Sequence, residues 1–118
     1  MPLEGKGRLS SAIARVLEGL MAYEPERVIL FGSAARGDAD ERSDIDMIVI
    51  KKTEERFVQR LVTAGALVPA GISADIFVYT PEELDTMVAE GIPFIAEALR
   101  DGKVLYEKTP GERETVAR

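Results

Sequence analysis

Val28 to Ile50 reads VILFGSAARGDADERSDIDMIVI, and this stretch decides the fold. Val28-Ile29-Leu30-Phe31 is an unbroken apolar run, the pattern of a short strand buried on both faces. It stops at Gly32. The polar segment Ser33 to Ser43 that follows predicts a loop with a turn of helix at its start, and Ile45 to Lys51 is a second β-rich run. A strand that ends in Gly-Ser and turns into a helical start presents backbone N–H groups and a hydroxyl to an anion. On its own that dipeptide is also the signature of an ordinary turn.

Asp44 and Asp46 stand two residues apart at the entrance to the second strand. The period-2 pleat points both side chains to one face. Two carboxylates about 4 Å apart repel by roughly 4 kcal/mol at an effective dielectric near 20, so a chain that places them together usually has a cation there. Read alone, the pair is also a solvated strand edge with Asp44 capping a turn. Asp75 shifts the balance, because it sits in Ala74-Asp75-Ile76-Phe77-Val78, where packing gives no reason for a charge. If the two strands are neighbours, Asp44, Asp46 and Asp75 ring a metal site of the kind used for in-line phosphoryl transfer. The alternative is an exposed aspartate at a strand start.

Outward from this stretch, Leu9, Ile13, Val16, Leu17, Leu20 and Met21 recur at helical spacing, so Leu9 to Met21 reads as an amphipathic helix broken by Glu24-Pro25-Glu26. Thr53-Glu54-Glu55 reads as the cap of a helix carrying Phe57, Val58, Leu61 and Val62. Pro69-Ala70-Gly71 is a turn, and Ser73 to Tyr79 a third strand. Thr80-Pro81-Glu82-Glu83 carries an N-cap, a proline at the first helical position and a glutamate to complete a capping box. That helix is expected to reach about Glu90. Ile92 to Leu99 is a further helix closed by Asp101-Gly102, and Lys103 to Tyr106 a last strand. Residues 1–106 read as a single domain, with 107–118 a frayed tail.

Composition limits the chemistry. The chain has 118 residues, 46% of them apolar and 31% charged, the balance of an ordinary globular protein. It contains no cysteine and no histidine, which removes thiolate chemistry, the commonest general base and the commonest transition-metal ligand together. What remains is carboxylates, hydroxyls, Lys, Arg or a hard metal. An oxygen-only ligand set selects Mg2+ or Mn2+, with Ca2+ a further option. The net charge of −6 argues against polymeric nucleic acid as a partner. No apolar run suits a membrane span and no secretory signal is readable, so a cytoplasmic location is the default. Asn is absent and Gln59 is the only Gln, the direction of thermophile compositions.

Gly32-Ser33, ten intervening residues, Asp44-Ile45-Asp46 and then Asp75 in a later strand together resemble the DNA polymerase β-type nucleotidyltransferase superfamily. The likeness covers Val28 to Tyr79, and the short chain resembles the minimal nucleotidyltransferase branch. It implies an α+β fold, a mixed β-sheet with helices packed mainly on one face. It also implies that Gly32 and Ser33 hold the β and γ phosphates of a nucleoside triphosphate, with ATP the expected donor. Asp44 and Asp46 would hold the metals, and Asp75 would share one and help deprotonate the attacking hydroxyl. Gly37 matches a family glycine that turns the loop, and Arg36 a basic position facing the triphosphate, though Arg36 also reads as a surface residue. Many relatives carry a larger residue directly after Gly-Ser, where this chain has Ala34.

Larger relatives use an added helical domain to hold the acceptor, and the chain leaves no room for one. Minimal members pair with a small helical HEPN protein and act as antitoxins that transfer AMP to a tyrosine of that toxin. The same partner and activity are expected here. Other readings are a non-catalytic antitoxin or regulatory module and a small-molecule nucleotidyltransferase, for which a homo-oligomer could form the pocket. Met87, Val88, Ile92 and Phe94 are the positions where such a module would contact its partner, if they are not core.

Overall fold

The structure, a computed structural model, describes residues 2–37 and 44–108. Five helices and four strands follow in the order α1 (Pro2–Met21), β1 (Arg27–Phe31), α2 (Ser33–Arg36), β2 (Ile45–Ile50), α3 (Phe57–Gly65), β3 (Ala74–Tyr79), α4 (Pro81–Ala89), α5 (Pro93–Asp101) and β4 (Lys103–Glu107). The strands form one sheet of order β3-β2-β1-β4. β1 runs antiparallel to both β2 and β4, whereas β2 and β3 are parallel, joined by the α3 crossover. The sheet is therefore mixed and the class is α+β, as the sequence predicts.

One detail of that expectation changes. Helices cover both faces, not mainly one. Val28 and Leu30 of β1, Met47 and Val49 of β2, and Ile76 and Val78 of β3 pack with Val16 and Leu20 of α1 and Ala64 of α3. The alternate residues Ile29, Ile48 and Ile50 pack with Leu84 of α4 and Ile95 and Ala98 of α5. The cause lies in the strands themselves: both parities of β1 and β2 are apolar, so each face needs a cover. No described helix is long and apolar enough to cross a membrane.

Element boundaries follow local chemistry. α1 extends back from Leu9 to Pro2, a proline being compatible with the first helical turn. At α4, Thr80 Oγ1 accepts from the Glu83 backbone N–H while the Glu83 carboxylate accepts from that of Thr80, the expected capping box. The expected cap at Thr53 does not form. Thr53 Oγ1 accepts from the N–H of Glu55, a local turn, and α3 starts after it with Arg56 at the N-cap. The expected tail lies outside the described residues from 109 on, and Glu107 closes β4.

α3 also buries a different face from the one its apolar residues suggest. Val58 and Val62 are 71% and 62% exposed, while Arg60 and Ala64 point inward. Arg60 donates to the carbonyls of Glu55 and Val78 and bidentately to the Glu83 carboxylate, at 2.6 and 3.2 Å. One buried guanidinium thereby ties α3, β3 and α4 together. The same guanidinium, with the Thr80 cap, holds the Glu83 carboxyl below its ordinary range.

Two outcomes follow for Glu83. Glu83→Ala takes the carboxylate from a buried guanidinium, leaving it two carbonyl acceptors, and removes the glutamate half of the capping box, and should cost about 1.5–3 kcal/mol in denaturant unfolding. Arg60→Ala should cost less, because the Glu83 side chain it leaves behind is 42% exposed. Since the folded-state carboxyl is depressed, its contribution is complete above the unfolded carboxylate range and is lost as pH falls through the depressed value. Glu83→Gln should flatten the acid limb of a melting-temperature profile, and an unchanged limb would count against this role.

Candidate active site

Asp46 is the second residue of β2, and the flanking strands bring its neighbours. In the antiparallel pair it lies opposite Phe31, the last residue of β1, and in the parallel pair opposite Asp75, the second residue of β3. Directly opposite residues have Cβ atoms about 4.5–5.5 Å apart. The adjacency on which a shared carboxylate site depends is therefore present. Asp75 is exposed, so its place in an apolar strand reflects an open end of the sheet and not a buried charge.

Burial pushes the Asp46 carboxyl above the ordinary carboxylate range, and the charges of Asp75 and Asp44 and a hydrogen bond with Asp75 push it the same way. Asp44 is exposed and precedes β2, where its Oδ1 accepts from the Ser73 hydroxyl at 2.7 Å. Among the described residues no group of three or more carboxylates is drawn in close enough to hold a metal ion. Asp46 and Asp75 face each other, and Asp44 is engaged by Ser73 beside them.

Gly32 completes the site from β1. Its φ of 74° and ψ of −156° lie in a region reserved for glycine, and a Cβ built there would stand 2.7 Å from Asp46 Oδ2. The backbone thus passes against the carboxylate where any side chain would intrude. The Gly32 carbonyl accepts from the N–H groups of Ala35 and Arg36, which opens the four-residue turn α2 at Ser33. Gly37 closes that turn in the left-handed conformation, φ 83°, its N–H donating to the Ser33 carbonyl. The turn of helix expected after Gly-Ser is present. The rest of that loop, residues 38–43, lies outside the described residues.

Gly32, Ser33, Asp44, Asp46 and Asp75 are thus gathered at one end of the sheet, with Gly37 ending the turn. Arg36 is exposed; the Asp101 carboxyl at the end of α5 is lowered chiefly by its hydrogen bond with Arg100, and the charge of Arg36 adds to this. Two contributors were not foreseen. Ser73 orients Asp44, and its only signal was its place one residue before β3. A cluster of three rings, Phe31, Phe77 and Phe94, borders Asp46, with centroids 5.3–6.1 Å apart. Phe31 and Phe77 were readable as residues on the carboxylate face by period-2 counting, but Phe94 arrives from a helix that no strand register locates.

Asp46→Asn removes a carboxylate that the fold holds in its less favourable state. A raised folded-state value means the native protein binds the proton more tightly than the unfolded chain, so stability falls as pH rises from the ordinary carboxylate range through the raised one. In metal-free buffer at neutral pH the variant should melt above the wild type, with the gap closing in acid. Gly32→Ala should lose about 1–3 kcal/mol of stability through its backbone conformation. A wild-type melting profile for either variant would show that the close approach has been misjudged.

The family described as "Polymerase beta, Nucleotidyltransferase" matches residues 13–111. A candidate protein adenylyltransferase of Methanocaldococcus jannaschii is 33% identical over 81 residues, 69% of this chain and 78% of that protein. Protein adenylyltransferase MntA of Aphanizomenon flos-aquae is 34% identical over 92 residues, 72% of this chain but 58% of MntA, so the chain matches little more than half of MntA's length. A crystal structure of a candidate nucleotidyltransferase from Sulfolobus solfataricus shares the fold, with a TM-score of 0.56 at 23% identity, over 89% of this chain and 91% of that one. The match spans both the Gly-Ser turn and the facing aspartates, and the chain belongs to the polymerase β-type nucleotidyltransferase family.

Proposed function

We propose that the protein transfers a nucleoside monophosphate, AMP from ATP, to a hydroxyl acceptor with release of pyrophosphate. One observation carries the reading: Asp46 and Asp75 stand opposite each other in adjacent strands, with the side-chain-free backbone of Gly32 against Asp46. The donor set fits a divalent metal such as Mg2+ or Mn2+. Every ligand is a hard oxygen, and the Asp46 carboxyl is raised first by burial and then by the charges of Asp75 and Asp44, which a cation would offset. When bound, the metals would neutralise charge on the attacking and leaving oxygens. Asp44, Asp46 and Asp75 are the residues assigned to hold them.

The roles of the chain's own groups follow from their placement. Gly32 lets the β and γ phosphates approach the backbone, Ser33 offers its hydroxyl and the N–H groups that begin α2, and Gly37 sets the turn. Arg36 is assigned to the triphosphate side. Asp75 takes the proton of the acceptor hydroxyl as that oxygen bonds to the α-phosphorus. The bond from the α-phosphorus to the bridging oxygen breaks, and pyrophosphate leaves with the electron pair. With no histidine in the chain, a carboxylate is the available base.

The acceptor proposed is a tyrosine of a small helical HEPN-type partner, which makes the protein an antitoxin acting in the cytoplasm as a single domain. Relatives named as protein adenylyltransferases support a protein acceptor. Incubation with ATP labelled at the α-phosphate, Mg2+ and the partner should label the partner. Asp44→Ala should reduce labelling by at least about a hundredfold, the scale of losing one electrostatic contact to the transition state. Metal-independent labelling, or none in the wild type, would refute the reading. A second reading, a binding module that neutralises its partner without catalysis, is favoured by the exposed Phe57, Val58 and Val62 of α3. Neutralisation that survives Asp46→Ala would select it.

A further inference from the structure

Two of the three phenylalanines beside the carboxylates are placed by the same strand registers that place the site. Phe31 lies opposite Asp46 across the β1–β2 pair, and Phe77 follows Asp75 by two residues in β3, so both project from the carboxylate face. β1 and β3 flank β2 on its two sides, roughly 9.6 Å apart at the usual strand spacing. The ring centroids of Phe31 and Phe77 are only 6.1 Å apart, so the rings lean together over β2 next to Asp46. Phe94, in the first turn of α5, meets both edge-to-face, at 5.3 Å from Phe31 and 5.9 Å from Phe77. Phe31 and Phe77 are packed into the core beneath α4 and α5, whereas Phe94 remains 37% exposed.

We propose that Phe94, backed by Phe31 and Phe77, is the surface on which the nucleobase of the donor stacks. The inference rests on the nucleotidyl-transfer reading and adds to it the element that holds the base. Gly32 and Ser33 carry the chain past Asp46 toward the open end of the sheet, whereas Phe31 is level with Asp46 and Phe77 with Ile48, so the rings lie beside Asp46 and to its inner side. A triphosphate with its β and γ groups on Gly32-Ser33 and its α group at the aspartates sends its sugar and base toward the rings. One pleat repeat, about 7 Å, separates successive residues on a face, a span that a ribose bridges. Every base offers a π face, and stacking on an aromatic side chain is tolerant of base identity. Three rings without a single polar atom read ring area and not base edges. Purines are held more tightly than pyrimidines by this surface, and adenine and guanine nearly alike.

The chain contains no tryptophan, so Phe94→Trp places a single indole at the proposed contact and keeps an aromatic face. Phe94→Leu keeps apolar volume and removes the π face. Binding of ATP and of inorganic tripolyphosphate to the full chain with Mg2+ is measured by calorimetry for the wild type and both variants. Phe94→Leu should weaken ATP about five- to a hundredfold while tripolyphosphate binds as before. Phe94→Trp should bind ATP at least as well as the wild type, its emission quenched by ATP and unmoved by tripolyphosphate. Equal loss of both ligands, or unchanged ATP affinity in Phe94→Leu, overturns the proposal. A raised KM for the acceptor with ATP affinity intact overturns it as well, giving the rings to the other substrate. If the wild type binds neither ligand, the nucleotide-site reading falls and takes this inference with it.

Discussion

The parallel register that sets Asp46 opposite Asp75 is the constraint on which the molecule turns. Like charges directly opposite in a sheet are unfavourable, so β2 must be held in place by something else. Ile45, Met47, Ile48, Val49 and Ile50 supply it, all buried, each contributing on the order of 1.5–3 kcal/mol when fully removed from water. Slipping β2 by one residue would carry Asp46 from the α4–α5 side of the sheet to the α1–α3 side, away from Asp75. The hydrophobic pattern of β2 thus holds the carboxylates in a row that they would not choose themselves.

The same logic explains why helices lie on both sides. A strand with apolar residues of both parities forces a cover over each face, and α4 and α5 form the second cover beside the carboxylates. Their arrival brings Phe94 to the site and leaves the end of the sheet open above Asp75. α3 serves the opposite side, and its crossover is what makes β2 and β3 parallel and places the two aspartates at corresponding positions.

Most of the succession of elements along the chain and the shared face of Asp44 and Asp46 was legible, because both rest on the period of two and on turn residues with a mechanism: Gly32, Gly37, the Thr80–Glu83 box and Asp101-Gly102. The adjacency that brings Asp75 to them was legible only as a condition. What was not legible came from tertiary competition. Phe57, Val58 and Val62 look like the inner face of α3, but Arg60 finds acceptors at Glu55, Val78 and Glu83, and a satisfied guanidinium takes the inner position. Thr53 looks like a cap but spends its oxygen on Glu55. Asp75 looked buried because its neighbours are apolar, and burial depends on where the sheet ends, which composition along one strand does not reveal. The Ser73–Asp44 bond joins residues 29 positions apart, a distance over which local pattern carries no information.

Gly32 separates two properties that usually travel together. Its backbone conformation and its clearance from Asp46 matter to the site, while the core around β1 is built from Val28, Ile29 and Leu30. A side chain there costs roughly 1–3 kcal/mol against a typical total of about 5–15, which a folded domain survives. Under the proposed mechanism, a lineage that substitutes this position loses the chemistry and keeps the fold. A silent binder is one substitution away from an enzyme of this architecture.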